Sequence, residues 1–318
     1  IGCKHLPIKF DVYTYSIYSN LKTLFILHKY IKHISPKIVF TFTIKPNIYL
    51  CIISFFSLKK FKLIPTITGL GTIYIKNNLK NLFIRIIFSY VLKKSNHIFF
   101  HNKSDIKLFS KLKHKSTVIP GSGVDCDKFN YSPSEYNTRN IIYIGRFIKE
   151  KGLRELFIAN NILLKKNINY NLYLVGSYDI NNPNSISIDL LNNFKKTKNV
   201  SIVDFIDDIK KYYDISDCVI LPSYREGMPR SLLEASATGR PLLASNVDGI
   251  NNLIKNGYNG FLFDCYNPES IAKTIENFLY LGTKEKIKIG MNARKLVERD
   301  YTIDSVITYY YKFANEYN

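Results

Sequence analysis

The sequence predicts an α/β protein made of two doubly wound units in tandem, and three observations carry that prediction. Short apolar runs alternate with longer amphipathic ones along the 318 residues. The short runs are continuously apolar, as expected of parallel strands covered on both faces. A polar stretch without periodicity, GSGVDCDKFNYSPSEYNTRN (121–140), divides the series in two. A chain of this length suits two cores better than one. The expected boundaries are a first domain at 1–125, a second at 126–300, and a C-terminal helix at 301–318 packing back toward the first domain.

The elements follow in order. KIVFTFT (37–43), KLIPTIT (62–68), HIFFHN (97–102) and STVIPG (116–121) are strand candidates of the first domain. NIIYIG (140–145), YNLYLVG (170–176), VSIVDF (200–205), CVILPS (218–223) and RPLLASN (240–246) form the second series. Between them GLRELFIANNILLKK (152–166) and SLLEASATG (231–239) have helical periodicity. In such units ligands sit beyond the carboxyl ends of the strands, and a cleft is expected between the domains.

Charge separates the two parts. The chain has 45 basic and 25 acidic residues, a net +20, and residues 1–125 hold 20 of the former and only 3 of the latter. A lysine-rich composition would explain the total but not the asymmetry. The basic half favours an anionic partner, nucleic acid or an anionic membrane. The five cysteines (3, 51, 126, 218, 265) show no metal-ligand spacing and read as free thiols in a reducing cytosol. No stretch reaches the ~20 apolar residues of a membrane span.

Two segments carry chemistry. In YIGRFIKEKG a strand ends at Gly145, followed by Arg146 and Lys151. A planar fork and a point charge at a strand end could clamp a diphosphate, or be solvated charges in a turn. In SYREGMPRSLLEASATGRP (223–241) a helix is expected to begin near Pro229, and its N-terminus suits an anion. Glu226 precedes that start and Glu234 follows it. Ser231 and Glu234 have capping-box spacing, which would account for Glu234 but not for Glu226.

GRFIKEKG, then VDFIDDIKKYYDISDCVILPSYREGMPRSLLEASATGRPLLASN, then NGYNGFLF resemble the retaining glycosyltransferase family 4 of the GT-B fold, whose hallmark is E-x7-E. TFTIKPNIY (41–49) and ITGLGTIY (67–74) resemble the bacterial branch that builds glycans on polyprenyl diphosphate carriers. The resemblance implies two Rossmann-like domains, the first on the acceptor side and the second binding the donor. It implies that Arg146 and Lys151 neutralise the donor diphosphate, that Glu226 contacts the donor sugar, and that Glu234 accepts the ribose hydroxyls. Gly145 and the backbone of Gly227, Met228, Pro229, Arg230, Ser231 and Leu232 would lie along sugar and phosphate. Phe205 and Ile206 would receive the nucleobase. The co-substrate would be a nucleotide sugar, weighted toward UDP, with no metal or other cofactor. Gly69 and Gly71 would form a tight loop on the acceptor side. His101 ends a strand and is either structural or an acceptor-side group.

The chain departs from the family pattern at Asp204, where glycine is frequent, and at Asn251 and Asn252, where Arg-Glu is common. Its start corresponds to a point some tens of residues into a family member, so a truncated, incomplete first domain is expected. NNLKNLFIRIIFSYVLKKSNH (77–97) reads either as a basic amphipathic helix on anionic lipid or as a core helix with solvated ends. The polyprenyl acceptor favours the former, with the protein cytoplasmic and peripheral on the inner face of the cell membrane. The alternatives are an inactive fragment, a GT-B sugar-nucleotide epimerase, whose signatures are absent, and a basic nucleic-acid-binding protein, for which no motif appears.

Overall fold

The computed structural model describes residues 3–8, 16–57, 60–75, 78–133, 136–204 and 206–316. The chain divides into two compact units. One holds residues up to Phe100, Ile106–Val118 and those from Tyr311 onward; the other holds His101–Asp105 and Ile119–Tyr310. Each has its own hydrophobic core.

The first unit contains β1 (Ile38–Phe42), β2 (Lys62–Ile67), β3 (Ile98–Phe100) and β4 (Ser116–Val118), all parallel, in the order β1-β2-β3-β4. Leu63, Ile64 and Ile67 of β2 and all three residues of β3 are buried, which explains their uninterrupted apolarity. Phe313, near the end of the chain, packs on His97 and edge-on against Phe99. Burial and the nearby Lys115 charge lower the His97 pKa to about 4.

The second unit contains β5 (Asn140–Ile144), β6 (Asn171–Val175), β7 (Val200–Val203), β8 (Cys218–Leu221), β9 (Leu242–Ser245) and β10 (Gly260–Phe263). Their order is β10-β9-β8-β5-β6-β7, every pair parallel. The chain winds from β5 outward to β7, then returns to β8 on the other side of β5. The strand order therefore reverses between β5 and β8, and the loops leaving these two strands diverge to leave a crevice.

Local sequence explains the elements flanking that crevice. Helix Leu153–Lys165 buries Leu153, Leu156, Ala159, Asn160 and Leu163, a spacing of three and four that makes one covered stripe. Gly152 precedes it with φ +67°, and a Cβ there would overlap the Pro222 carbonyl oxygen. Only glycine lets the loop after β5 lie this close to the end of β8. Helix Arg230–Ala237 follows β8, with Pro229 at its N-cap rather than in its first turn.

Candidate functional site

The loops after β5 and β8 bring the expected residues into two adjoining groups. In the first, Lys151 Nζ lies 2.5 Å from Glu226 Oε1, with both side chains largely buried. In the second, a pocket of about 350 Å³ is lined by Lys128, Phe129, Ile144, Gly145, Arg146, Val175, Gly176, Ser177, Ile206, Asp207, Ile209, Arg230 and Glu234. Arg146, Lys128 and Arg230 give this pocket three cations against the carboxylates of Glu234 and Asp207. Such a surface favours a polyanion. Neither Lys151 nor Glu226 is among its lining residues.

The structure decides the role of Glu234 within the fold. Helix Arg230–Ala237 has no side-chain cap, so the capping box does not form. Glu234 Oε2 instead accepts from the Tyr213 hydroxyl at 2.8 Å, and Oε1 lies 3.3 Å from Arg230 Nη2. The Tyr213 hydroxyl also lies 3.1 Å from the Ser231 carbonyl. Burial raises the Glu234 pKa, against the hydrogen bond from Tyr213 and the charges of Arg230 and Lys128. The carboxylate keeps lone pairs to accept further hydroxyls.

The remaining residues around the helix start divide by side chain. Met228 and Leu232 point into the core and can offer only backbone to a ligand. Arg230 is exposed at the pocket, and Ser231 takes part through its carbonyl. Beneath the loop, Tyr143 is fully buried and donates to the Arg146 carbonyl at 2.8 Å. Burial first, and Glu226 second, push its phenol pKa well up.

Ile206 lines the pocket, whereas Phe205 lies outside the described residues. Gly69 and Gly71 both adopt positive φ, and Gly71 opens the short helix Gly71–Ile75. His101 is buried, and desolvation lowers its pKa to about 4. At 5% exposure its ring offers little surface to an acceptor. No group of three or more His, Cys, Asp or Glu side chains among the described residues could hold a metal ion.

Sequence reasoning missed Lys128, Phe129, Ser177 and Tyr213. Lys128 and Phe129 sit in the polar stretch read as a domain boundary, and Tyr213 lies in IKKYYDIS, where an aromatic reads as ordinary core. No local pattern distinguishes these roles.

A parallel sheet carrying a cationic pocket beside its switch point is an α/β arrangement suited to an anionic ligand. The sequence profile of the glycosyl transferases group 1 family matches residues 127–296, more than half of the chain, and the chain belongs to that family. It is similar to the capsular polysaccharide biosynthesis glycosyltransferase CapM of Staphylococcus aureus, 26% identical over 93% of this chain and 80% of that protein. It is also similar to the N,N'-diacetylbacillosaminyl-diphospho-undecaprenol alpha-1,3-N-acetylgalactosaminyltransferase of Campylobacter jejuni, 27% identical over 92% of this chain and 81% of that protein. Among solved structures, Anabaena HepE in complex with UDP-glucose matches with TM-score 0.80 and 17% identity, over 96% of this chain and 85% of that one. A glycosyltransferase from Rickettsia africae matches with TM-score 0.74 and 23% identity, over 97% and 84% respectively. The fold is that of GT-B glycosyltransferases.

Proposed function

We propose that this glycosyltransferase is a retaining family 4 enzyme. It would move a hexosyl group, N-acetylated in the favoured case, from a UDP-sugar to a polyprenyl-diphosphate-linked glycan in cell-surface polysaccharide assembly. The observation that carries the reading is the division of labour around one helix start. Glu234 sits in the cationic pocket, and Glu226, eight residues before it with seven between, pairs with Lys151. That arrangement supports separate contacts for ribose, diphosphate and donor sugar.

In this reading Arg146 and Lys151 stabilise the charge that develops on the departing diphosphate, with Arg230 and Lys128 adding to the field. Side-chain cations thus take the part that a metal ion plays elsewhere. Glu226 holds the donor sugar, and Glu234 accepts the ribose hydroxyls. The bond between the anomeric carbon and the diphosphate oxygen breaks as an acceptor hydroxyl forms its bond on the same face. The hydroxyl proton passes to the leaving diphosphate oxygen, and UDP departs. The named activities of the Campylobacter relative and of an Escherichia coli galactosyltransferase, both on undecaprenyl-diphosphate sugars, support the acceptor class.

Helix Leu79–Val91 supports placement at a membrane surface. Leu79, Leu82, Phe83, Ile86 and Tyr90 form one exposed apolar face, while Phe88 and Val91 are buried in the core of the first unit. Phe55 stacks on Tyr90, and Lys93 and Lys94 lie over these two rings. A cation-fringed apolar face fits the anionic inner surface of a cell membrane. No helix among the described residues is long and apolar enough to cross one.

A thermal-shift screen of nucleotide sugars, followed by transfer to a polyprenyl-diphosphate acceptor, tests the reading. UDP-sugars should raise the melting temperature, since a ligand bound only by the folded state stabilises it. No stabilisation by any nucleotide sugar and no transfer would overturn it.

A further inference from the structure

Glu226 is carried on a loop whose neighbouring residues are both held from one short segment. Arg225 Nη2 lies 2.6 Å from Asp105 Oδ1. Asn102 Nδ2 donates to Asp105 Oδ2 at 3.0 Å and to the Gly227 carbonyl at 3.4 Å. Asn102 Oδ1 accepts from the Asp105 backbone N–H and from the Ser104 hydroxyl, each at 2.7 Å. Asn102 and Asp105 are buried. A carboxylate withdrawn from water requires such partners, so this is a fixed arrangement and not a passing surface contact.

The rest of the loop is restrained as well. The Tyr224 N–H donates to the Glu150 carbonyl at 2.9 Å, and its ring stacks on Tyr266. The Tyr224 hydroxyl bonds Glu155. On another side Gly249 lies so close that a Cβ would overlap the carbonyl oxygens of Glu226 and Gly227. Residues 224, 225 and 227 are thus occupied in holding the loop, and the Glu226 carboxylate meets Lys151.

We propose that Asp105 and Asn102 are positioning residues for Glu226, fixing its carboxylate against Lys151 by gripping Arg225 and the Gly227 carbonyl. Asp105 acts through Arg225 and touches no reacting atom. The functional consequence rests on the reading of Glu226 as the donor-sugar contact. The geometric claim does not.

The test uses the full chain with Asp105→Asn, Asn102→Ala, Arg225→Lys and Glu226→Ala. Amide hydrogen exchange is followed across residues 222–229, UDP binding by calorimetry, and turnover with UDP-N-acetylgalactosamine and an undecaprenyl-diphosphate-linked acceptor. Asp105→Asn should speed exchange in the loop by about tenfold or more, with β5 and β6 unchanged. It should lower kcat by about tenfold or more while leaving UDP affinity and the donor KM within about threefold, the mark of a misplaced transition-state contact. Arg225→Lys keeps a cation facing Asp105 and should show a smaller loss than Asp105→Asn in both exchange and turnover. Wild-type exchange in both Asp105→Asn and Asn102→Ala overturns the proposal, whatever sugar the enzyme uses. Full turnover by Asp105→Asn beside an inactive Glu226→Ala overturns its functional half. Full turnover by Glu226→Ala would instead sink the assignment of Glu226 and leave the exchange result to decide the grip. Should Asp105→Asn not fold, Asn102→Ala and Arg225→Lys carry the same comparison.

Discussion

Lys151 Nζ and Glu226 Oε1 are 2.5 Å apart, and they come from the loops on either side of the switch point in the second sheet. The pair joins a cation suited to phosphate with an acid suited to sugar hydroxyls. Because the two side chains share one interaction, their effects should not add. Lys151→Ala and Glu226→Ala should each reduce transfer by about 100-fold or more, as loss of a preorganised electrostatic contact does. The double variant should be little worse than either single one. UDP affinity separates their proposed roles: it should fall in Lys151→Ala and stay within about twofold in Glu226→Ala, if the latter contacts sugar and not nucleotide as proposed. Steady-state kinetics together with UDP titration read both.

Tyr213 and Glu234 give a second prediction, with a defined pH direction. The Tyr213 hydroxyl donates to Glu234 Oε2 in a buried setting, and Tyr213→Phe removes that donor while keeping the ring. A hydrogen bond to a charged group contributes about 1.5–3 kcal/mol, so UDP affinity should drop by about tenfold to a hundredfold if Glu234 binds the ribose as proposed. Burial already raises the Glu234 pKa above the ordinary carboxylate value. In the proposed role Glu234 accepts the ribose hydroxyls in its ionised form, so affinity should fail as pH drops through that raised value, earlier than for an ordinary glutamate. Stability runs the other way. A folded pKa above the unfolded one gives a contribution present below the unfolded value and lost as pH rises through the folded one. Tyr213→Phe should move the acid limb of UDP binding to higher pH. Calorimetric titrations across the acid-to-neutral range would show an unmoved limb if Tyr213 does not support Glu234.

Much of the fold was legible because burial on both faces writes itself as uninterrupted apolar residues, as in IIY of β5 and CVIL of β8. The strand β10 was missed because GFLF is short and opens on glycine. The placement of Arg146, Lys151, Glu226 and Glu234 around the strand ends was legible because each lies within a few residues of a strand end or helix start. The capping box was misleading: Ser231 and Glu234 have its spacing, yet the helix begins two residues too early for Ser231 to cap it. The grip on Glu226 was not legible at all, since Asp105 and Arg225 are separated by 120 residues and neither stands in a recognisable pattern. Partnerships made by tertiary folding leave no trace in local periodicity.

The outer face of helix Leu79–Val91 yields the last prediction. Leu82 and Phe83 are 51% and 63% exposed, so their substitution should spare the core that Phe88 and Val91 fill. Burying a leucine or phenylalanine side chain fully contributes about 1.5–3 kcal/mol, so two charges in their place should weaken membrane binding by about 100-fold or more. Wild-type chain should sediment with vesicles of phosphatidylglycerol at low salt, and less so at high salt as the field of Lys93 and Lys94 is screened. Leu82→Glu with Phe83→Glu should stay in the supernatant at either salt while binding UDP as the wild type does. Equal sedimentation of the variant would remove this helix from the membrane contact. Loss of UDP binding in parallel would show that the substitutions had damaged the fold, and Leu79→Glu, at the exposed first turn, would then carry the comparison. The two signals are separable because salt acts on the lysines and substitution on the apolar stripe. A face that needed only charge would respond to the first and ignore the second.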